Sequence, residues 1–225
     1  MLKNKLSPSM MCCDFFDIGA QVGAFEKNSV ELLHIDVMDG EFAPNFALGV
    51  DFARQLKKRS SIPLDIHLMV KEPLRHVSIF PVGEGDMVSI HIESTENVRA
   101  CLDAIKEKGA RAFVALNPTT PPKDILPFAD VIDGVLIMAV NPGFAGQKML
   151  EGTIEKIGEM RRLLDSWGRE DAEIEVDGNV SVENGIKMRG AGANIFVLGT
   201  AALFGGDLDK NIGIFRESVC SLVKT

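Results

Sequence analysis

Short apolar or β-branched runs alternate along the chain with longer runs whose apolar positions recur at helical spacing. The short runs predict strands over residues 6–11, 32–37, 64–69, 87–90, 111–116, 134–138, 173–176 and 195–198. The longer runs predict helices over 14–28, 50–58, 73–80, 97–108, 122–128, 150–167, 182–189 and 209–223. Strands separated by helices imply βα units around a parallel sheet, and no Ser/Gly linker interrupts them. Eight consecutive units predict a (βα)8 TIM barrel, one catalytic domain over residues 1–225. The rival arrangement is an open doubly wound sheet, but no GxGxxG fingerprint follows the first strand.

Polar residues break the apolar runs near the strands' C-terminal ends, where such barrels carry their chemistry. His34 and Asp36 lie on the second strand, His67 on the third, and Asp177 follows the seventh. Strand side chains alternate faces, so His34, Asp36 and Met38 share one face, and His67 and Met69 share another. Both faces must look into the barrel. Any one of these polar residues alone would be read as a hydrogen-bonded structural residue. Together, two buried carboxylates with no Lys or Arg beside them need a compensating cation or proton. Two imidazoles and two carboxylates suit one divalent ion, Zn²⁺, Mn²⁺, Fe²⁺ or Co²⁺, with zinc the first choice.

Glycines gather after the last three strands, in Asn141-Pro-Gly143-Phe144-Ala145-Gly146-Gln147, Asp177-Gly178-Asn179 and Gly199-Thr200. They allow a ligand close to the backbone, and the loops after strands seven and eight are common phosphate sites in barrels. Turn-making alone is the plainer explanation. Met38, Met69 and Met138 would ordinarily fill core, although together they make a polarizable, water-poor floor. The Ser9 hydroxyl has an equally plain use in bonding backbone.

Composition narrows the function. With 225 residues, 46% of them hydrophobic and 25% charged, the chain can bury a large core. A net charge of −8 with no basic cluster argues against nucleic acid as a partner. It also means that phosphate must be held locally, by backbone N–H groups rather than a basic field. Cys12, Cys13, Cys101 and Cys220 include no CxxC pair, which fits a reducing cytoplasm. No apolar stretch suggests an export signal or a membrane span.

Ser7-Pro-Ser9, His34-Ile-Asp-Val-Met-Asp-Gly40, Pro44-Asn45, His67-Leu-Met69, Leu116-Asn-Pro-x-Thr-Pro121, Asn141-Pro-Gly-Phe144, Gly146-Gln147 and Val176-Asp-Gly178 stand in one order and spacing. Over nearly its whole length the chain resembles the ribulose-phosphate 3-epimerase family. The resemblance implies a metal on His34, Asp36, His67 and Asp177, with Asp36 and Asp177 also the catalytic acid and base. It implies inversion of carbon 3 of a ketose phosphate through a cis-enediolate, with no organic cofactor. Phosphate contacts would fall on Gly143 through Gly146, Gly178, Gly199 and Thr200, a substrate contact on Ser9, and the reacting face on the three methionines. A homo-oligomer is also implied.

Ala145, Asn179 and Thr200 depart from the family's commonest pattern. Together with Met11-Cys-x-Asp14 they are similar to the allulose-6-phosphate 3-epimerase branch. The expected substrate is therefore D-allulose 6-phosphate, giving D-fructose 6-phosphate. The alternative is D-ribulose 5-phosphate to D-xylulose 5-phosphate, in the pentose phosphate pathway. Two rivals remain: a Schiff-base aldolase, which lacks its strand-end Lys here, and a non-catalytic sugar-phosphate-binding barrel.

Overall fold

A computed structural model describes residues 2–221. Its strands are β1 (Lys5–Pro8), β2 (Leu33–Met38), β3 (Leu64–Met69), β4 (Met87–His91), β5 (Arg111–Leu116), β6 (Gly134–Met138), β7 (Glu173–Asp177) and β8 (Ile195–Leu198). They form one 8-stranded sheet in the order β1-β8-β7-β6-β5-β4-β3-β2, and every pairing is parallel. The seam between β1 and β2 is closed by a bridge from Ser9 to His34 and by Leu32 N–H donating to Leu6 O at 3.2 Å. That closure removes the open-sheet rival.

Helices α1 (Ile18–Lys27), α2 (Val50–Arg59), α3 (Leu74–Val77), α4 (Val98–Glu107), α5 (Thr153–Ser166), α6 (Val182–Ala191) and α7 (Leu208–Phe215) cover the outside. The main core lies between them and the sheet, where outward strand residues such as Ile35, Ile66, Ile90, Val114 and Ile137 are fully buried. Helix α4 shows the pattern, burying Val98, Cys101, Leu102 and Ile105 at spacings of three and four. Each such aliphatic side chain contributes about 1.5–3 kcal/mol by leaving water.

The barrel's interior is filled in levels. Its N-terminal end is plugged by Leu32, Met87, Phe113 and Ile195. Gly134 makes room for that plug, because a Cβ there would stand 2.3 Å from the Phe113 ring. Below the plug Glu173 takes ion pairs from Lys5 and Arg111. Above it the inward side chains become polar, and this is where the chemistry collects.

Several boundaries differ from the expected ones for local reasons. The first strand ends at Pro8, and residues 10–12 make a 3-10 turn in which Cys12 N–H donates to Ser9 O. Helix α1 starts at Ile18, because the Asp14 carboxylate and carbonyl accept from Phe16 and Asp17 in a preceding turn. The segment Pro122–Phe128 is a 3-10 helix containing Pro127, which lacks the N–H of a regular α-helical turn. Only Leu74–Val77 of the third expected helix is α-helical, and α5 starts at Thr153 after Gly152 at φ 82°. The last helix passes at Arg216 into a π-helical turn ending at Cys220, and its expected end at residue 223 lies outside the described residues. Among the described residues no helix is long and apolar enough to cross a membrane.

Candidate active site

Strand alternation sends His34, Asp36 and Met38 of β2 inward, with Asp65, His67 and Met69 of β3 and Glu175 and Asp177 of β7. In register, His67 lies beside Asp36 and Met138 beside Asp177. His34 Nε2 stands 3.3 Å from Asp36 Oδ1 and 3.9 Å from Asp177 Oδ2. His67 Nδ1 stands 3.6 Å from the same Asp36 oxygen and 3.7 Å from the same Asp177 oxygen. Two nitrogens and two oxygens thus form a ring facing one point.

Neither nitrogen of that ring has a hydrogen-bond partner, although both are buried. A buried polar atom left unpaired costs about 1–3 kcal/mol, so the arrangement fits an occupant that accepts lone pairs. Tetrahedral ligands about 2.0–2.1 Å from a zinc ion stand about 3.3 Å apart, close to the shorter separations here. The Ser9 hydroxyl orients Asp36 for such a role by donating to its Oδ2 at 2.9 Å, which leaves Oδ1 to the ring.

The charges of the ring are uneven. Burial and the neighbouring Asp36 carboxylate push Asp177 up to about 7. Asp36 is buried too, yet His34 and His67 hold it well below the usual carboxylate range. Burial opposes a charge on His34, but Asp65 and Asp36 together hold it well above the ordinary imidazole range. His67 is pushed down, chiefly by burial. A cation bound to the ring would need both ring-facing nitrogens unprotonated, so its binding would compete with protons there.

Above the ring lies one cavity. Ser9, Met38, Met69, Met138, Gly143, Phe144, Ala145, Gly146, Gly178, Asn179, Gly199 and Thr200 all line it, with Asp36, Asp177, Cys12 and no Lys or Arg. The three methionines are buried. Gln147 stitches the loop after β6 by donating to Asn141 O and Phe144 O, and Asn45 reaches over from the loop after β2 to donate to Gly143 O at 2.8 Å. Gly178 is required as glycine, since it sits at φ 110° with Val140 Cγ2 2.6 Å from where a Cβ would stand. Asn179 has φ 50°, and its side-chain oxygen accepts from Asn184. An asparagine therefore serves where glycine is commoner, and Ala145 needs no positive φ.

The family model described as "Ribulose-phosphate 3 epimerase family" matches residues 5–204. The chain belongs to the ribulose-phosphate 3-epimerase family. Ribulose-phosphate 3-epimerase from Bacillus subtilis (strain 168) is 39% identical over 214 residues, 95% of this chain and 99% of that protein. The chloroplastic ribulose-5-phosphate-3-epimerase of Arabidopsis thaliana is 42% identical over 215 residues, 95% of this chain and 76% of that one. The crystal structure of 3-hexulose-6-phosphate synthase from Salmonella typhimurium superposes with a TM-score of 0.69 at 13% identity, covering 96% of this chain and 98% of that one. That likeness concerns the fold alone.

In this ribulose-phosphate 3-epimerase family member, sequence reasoning missed the groups behind the ring. His34 Nδ1 faces Asp65 Oδ2 at 2.6 Å, and the Ser7 hydroxyl donates to the same oxygen at 2.8 Å. Glu175 is wholly buried nearby, its carboxyl raised well above the usual range by burial and by Asp65. His67 Nε2 lies 2.9 Å from His91 Nε2. Asp39, a carboxylate within the same motif, turns away and accepts from Glu41, Phe42 and Lys71 N–H. Period-two alternation carried one step deeper from Ser9, His67 and Asp177 reaches Ser7, Asp65 and Glu175.

Proposed function

We propose that this chain is a metal-dependent epimerase that inverts carbon 3 of D-ribulose 5-phosphate to give D-xylulose 5-phosphate. The observation that carries the reading is the pair of aspartates, Asp36 and Asp177, whose oxygens face the same two imidazole nitrogens at 3.3–3.9 Å and line the floor of the one cavity above them. Inversion next to a carbonyl needs a proton removed from one face and another delivered to the opposite face, and two carboxylates can supply both functions. His34, Asp36, His67 and Asp177 would hold a divalent cation, which supplies positive charge where negative charge grows as the C–H bond breaks.

One aspartate takes the carbon-3 proton and the other returns one, and the roles exchange in the reverse direction. Ser9 keeps the Asp36 carboxylate aimed, and the methionine floor excludes water that would compete for the proton. With no basic residue lining the cavity, backbone N–H groups from Gly143 through Gly146, Gly178, Gly199 and Thr200 hold the phosphate.

The leaning toward D-allulose 6-phosphate gives way here. Both relatives described above are named for the ribulose phosphate, and they match 95% of this chain at 39% and 42% identity. Asn179 tolerates its φ of 50° and Ala145 needs no positive φ, so the backbone alone accounts for both departures and neither argues for a longer substrate. Comparing kcat/KM for the two ketose phosphates on metal-loaded protein tests the choice. A value for allulose 6-phosphate tenfold above that for ribulose 5-phosphate, about 1.4 kcal/mol in transition-state binding, would reverse it.

A further inference from the structure

The two imidazoles of the ring are backed differently. His34 presents Nε2 to the ring and rests its Nδ1 directly on a carboxylate, Asp65. His67 presents Nδ1, the opposite atom, and its Nε2 meets a second imidazole, His91, at 2.9 Å. His91 Nδ1 in turn lies 3.1 Å from Glu93 Oε2. The other Glu93 oxygen accepts from Asn117 N–H at 2.9 Å and from the Thr120 hydroxyl, so the loop after β5 fixes the carboxylate. Both rings are wholly buried.

Hydrogen-bond polarity along this row is determined from its far end. A carboxylate only accepts, so His91 must carry its hydrogen on Nδ1. A neutral His91 then offers a bare Nε2, which accepts from His67 Nε2–H. That leaves His67 Nδ1 bare, and it is the atom aimed at Asp36 and Asp177. Read from the ring, the order is the same, because a metal-ligating nitrogen must be unprotonated.

We propose that His91 and Glu93 are positioning residues that hold His67 in the Nε2–H form, so that Nδ1 is bare before the cation arrives. The inference rests on the metal reading of the ring, but its proton order is measurable without metal. Loss of the Glu93 acceptor frees His91 to place its hydrogen on Nε2, which sets two N–H groups against each other unless His67 reverses as well. Reversal protonates the ring-facing nitrogen, and the site loses a ligand until that proton is removed.

The experiment uses protein labelled with ¹⁵N-histidine. Long-range ¹⁵N–¹H spectra of the metal-free and Zn²⁺-loaded forms read each tautomer, and competition with a chromogenic chelator reads Zn²⁺ affinity. In the unmodified protein His67 should be the Nε2–H form and His91 the Nδ1–H form, with or without Zn²⁺. Glu93→Ala should shift both tautomers and weaken Zn²⁺ binding about 10–100-fold, whereas Glu93→Gln, which keeps an acceptor oxygen, should stay within about fivefold. A metal-free protein with the His67 hydrogen on Nδ1 overturns the proposal. So does a Glu93→Ala variant of unchanged circular dichroism that keeps tautomers and affinity. If that variant does not fold, the tautomers of the unmodified protein decide. Failure of the unmodified protein to bind Zn²⁺ would sink the metal reading, and the metal-free spectrum would still judge the proton order.

Discussion

At the mouth of the barrel Ser9, Asp36, His67 and Asp177 meet; two residues earlier on the same strands Ser7, His34, Asp65 and Glu175 meet one level down. The side-chain types are nearly the same: hydroxyl, imidazole and carboxylates. In the upper level the unpaired His67 Nδ1, with His34 Nε2 reaching up to it, faces the Asp36 and Asp177 oxygens beneath an open cavity, with Asp177 partly exposed at its edge. In the lower level Asp65 and Glu175 are fully sealed; Ser7 and His34 engage Asp65 Oδ2, while Asp65 Oδ1 and both Glu175 oxygens are left without a partner, facing each other and not a cavity. His34 belongs to both. The same three chemistries would hold a cation where one can enter and a proton where none can, because burial and a facing carboxylate both favour the protonated form of one member of a sealed pair.

The sharpest way to break this contrast is to remove the cation. Chelation should abolish epimerisation, and Zn²⁺, Mn²⁺ or Co²⁺ should restore it, while circular dichroism stays constant because the fold rests on the apolar core between sheet and helices. Full turnover in protein shown by elemental analysis to be metal-free would end the distinction between the levels.

Next in size are the two aspartates of the ring. Asp36→Asn and Asp177→Asn should each lower kcat by at least about 10³-fold, about 4 kcal/mol, since each removes a ligand charge and one member of the acid–base pair. Steady-state kinetics on metal-loaded variants check this, and retention of a tenth of the original kcat in either would deny that residue its role. In the lower level Asp65→Asn should act through His34 alone. Its effect should appear as Zn²⁺ affinity lowered about 10–100-fold, with kcat at saturating metal changed far less. An equal loss of kcat at saturating metal would place Asp65 in the chemistry and erase the contrast.

Much of this was legible in the chain. Strands β3, β5, β6 and β8 start and end where the apolar runs do, because both ends are marked by polar or turn residues. The run Met10-Met11-Cys12-Cys13 misled, since apolar residues continue while the backbone, already past Pro8, must leave the sheet. The ring was legible because its four donors interrupt apolar strands near their ends. The lower level was not, because Asp65 and Glu175 lie mid-strand, where a charged residue is easily assigned to the outer face of an unplaced strand. His91 escaped by one position: the expected strand stopped at Ile90, and the row through Glu93 begins immediately after it. Distances across the barrel, such as that from His34 to Asp177, are set by closure and are not written in any local pattern.

The smallest expected effect tests whether the lower level truly holds a proton. Glu175 faces Asp65 and His34, and burial together with Asp65 raises its carboxyl well above the ordinary glutamic acid value. In the unfolded chain the same group ionises near its ordinary value of about 4.5. Between those two values the folded protein keeps a proton that the unfolded chain releases, so folding stability falls as pH rises through the window. Glutamine has the shape of the protonated acid and does not titrate. Glu175→Gln should therefore leave stability within about 1 kcal/mol at pH 4.5 and gain relative to the unmodified protein as pH rises, by up to about 1.4 kcal/mol per unit. Melting temperatures of both proteins, metal-free, at pH 4.5, 6 and 8 read the difference directly. A difference that stays flat or falls with pH would mean that Glu175 is ionised in the folded state, and the lower level would then carry two charges rather than one charge and a proton.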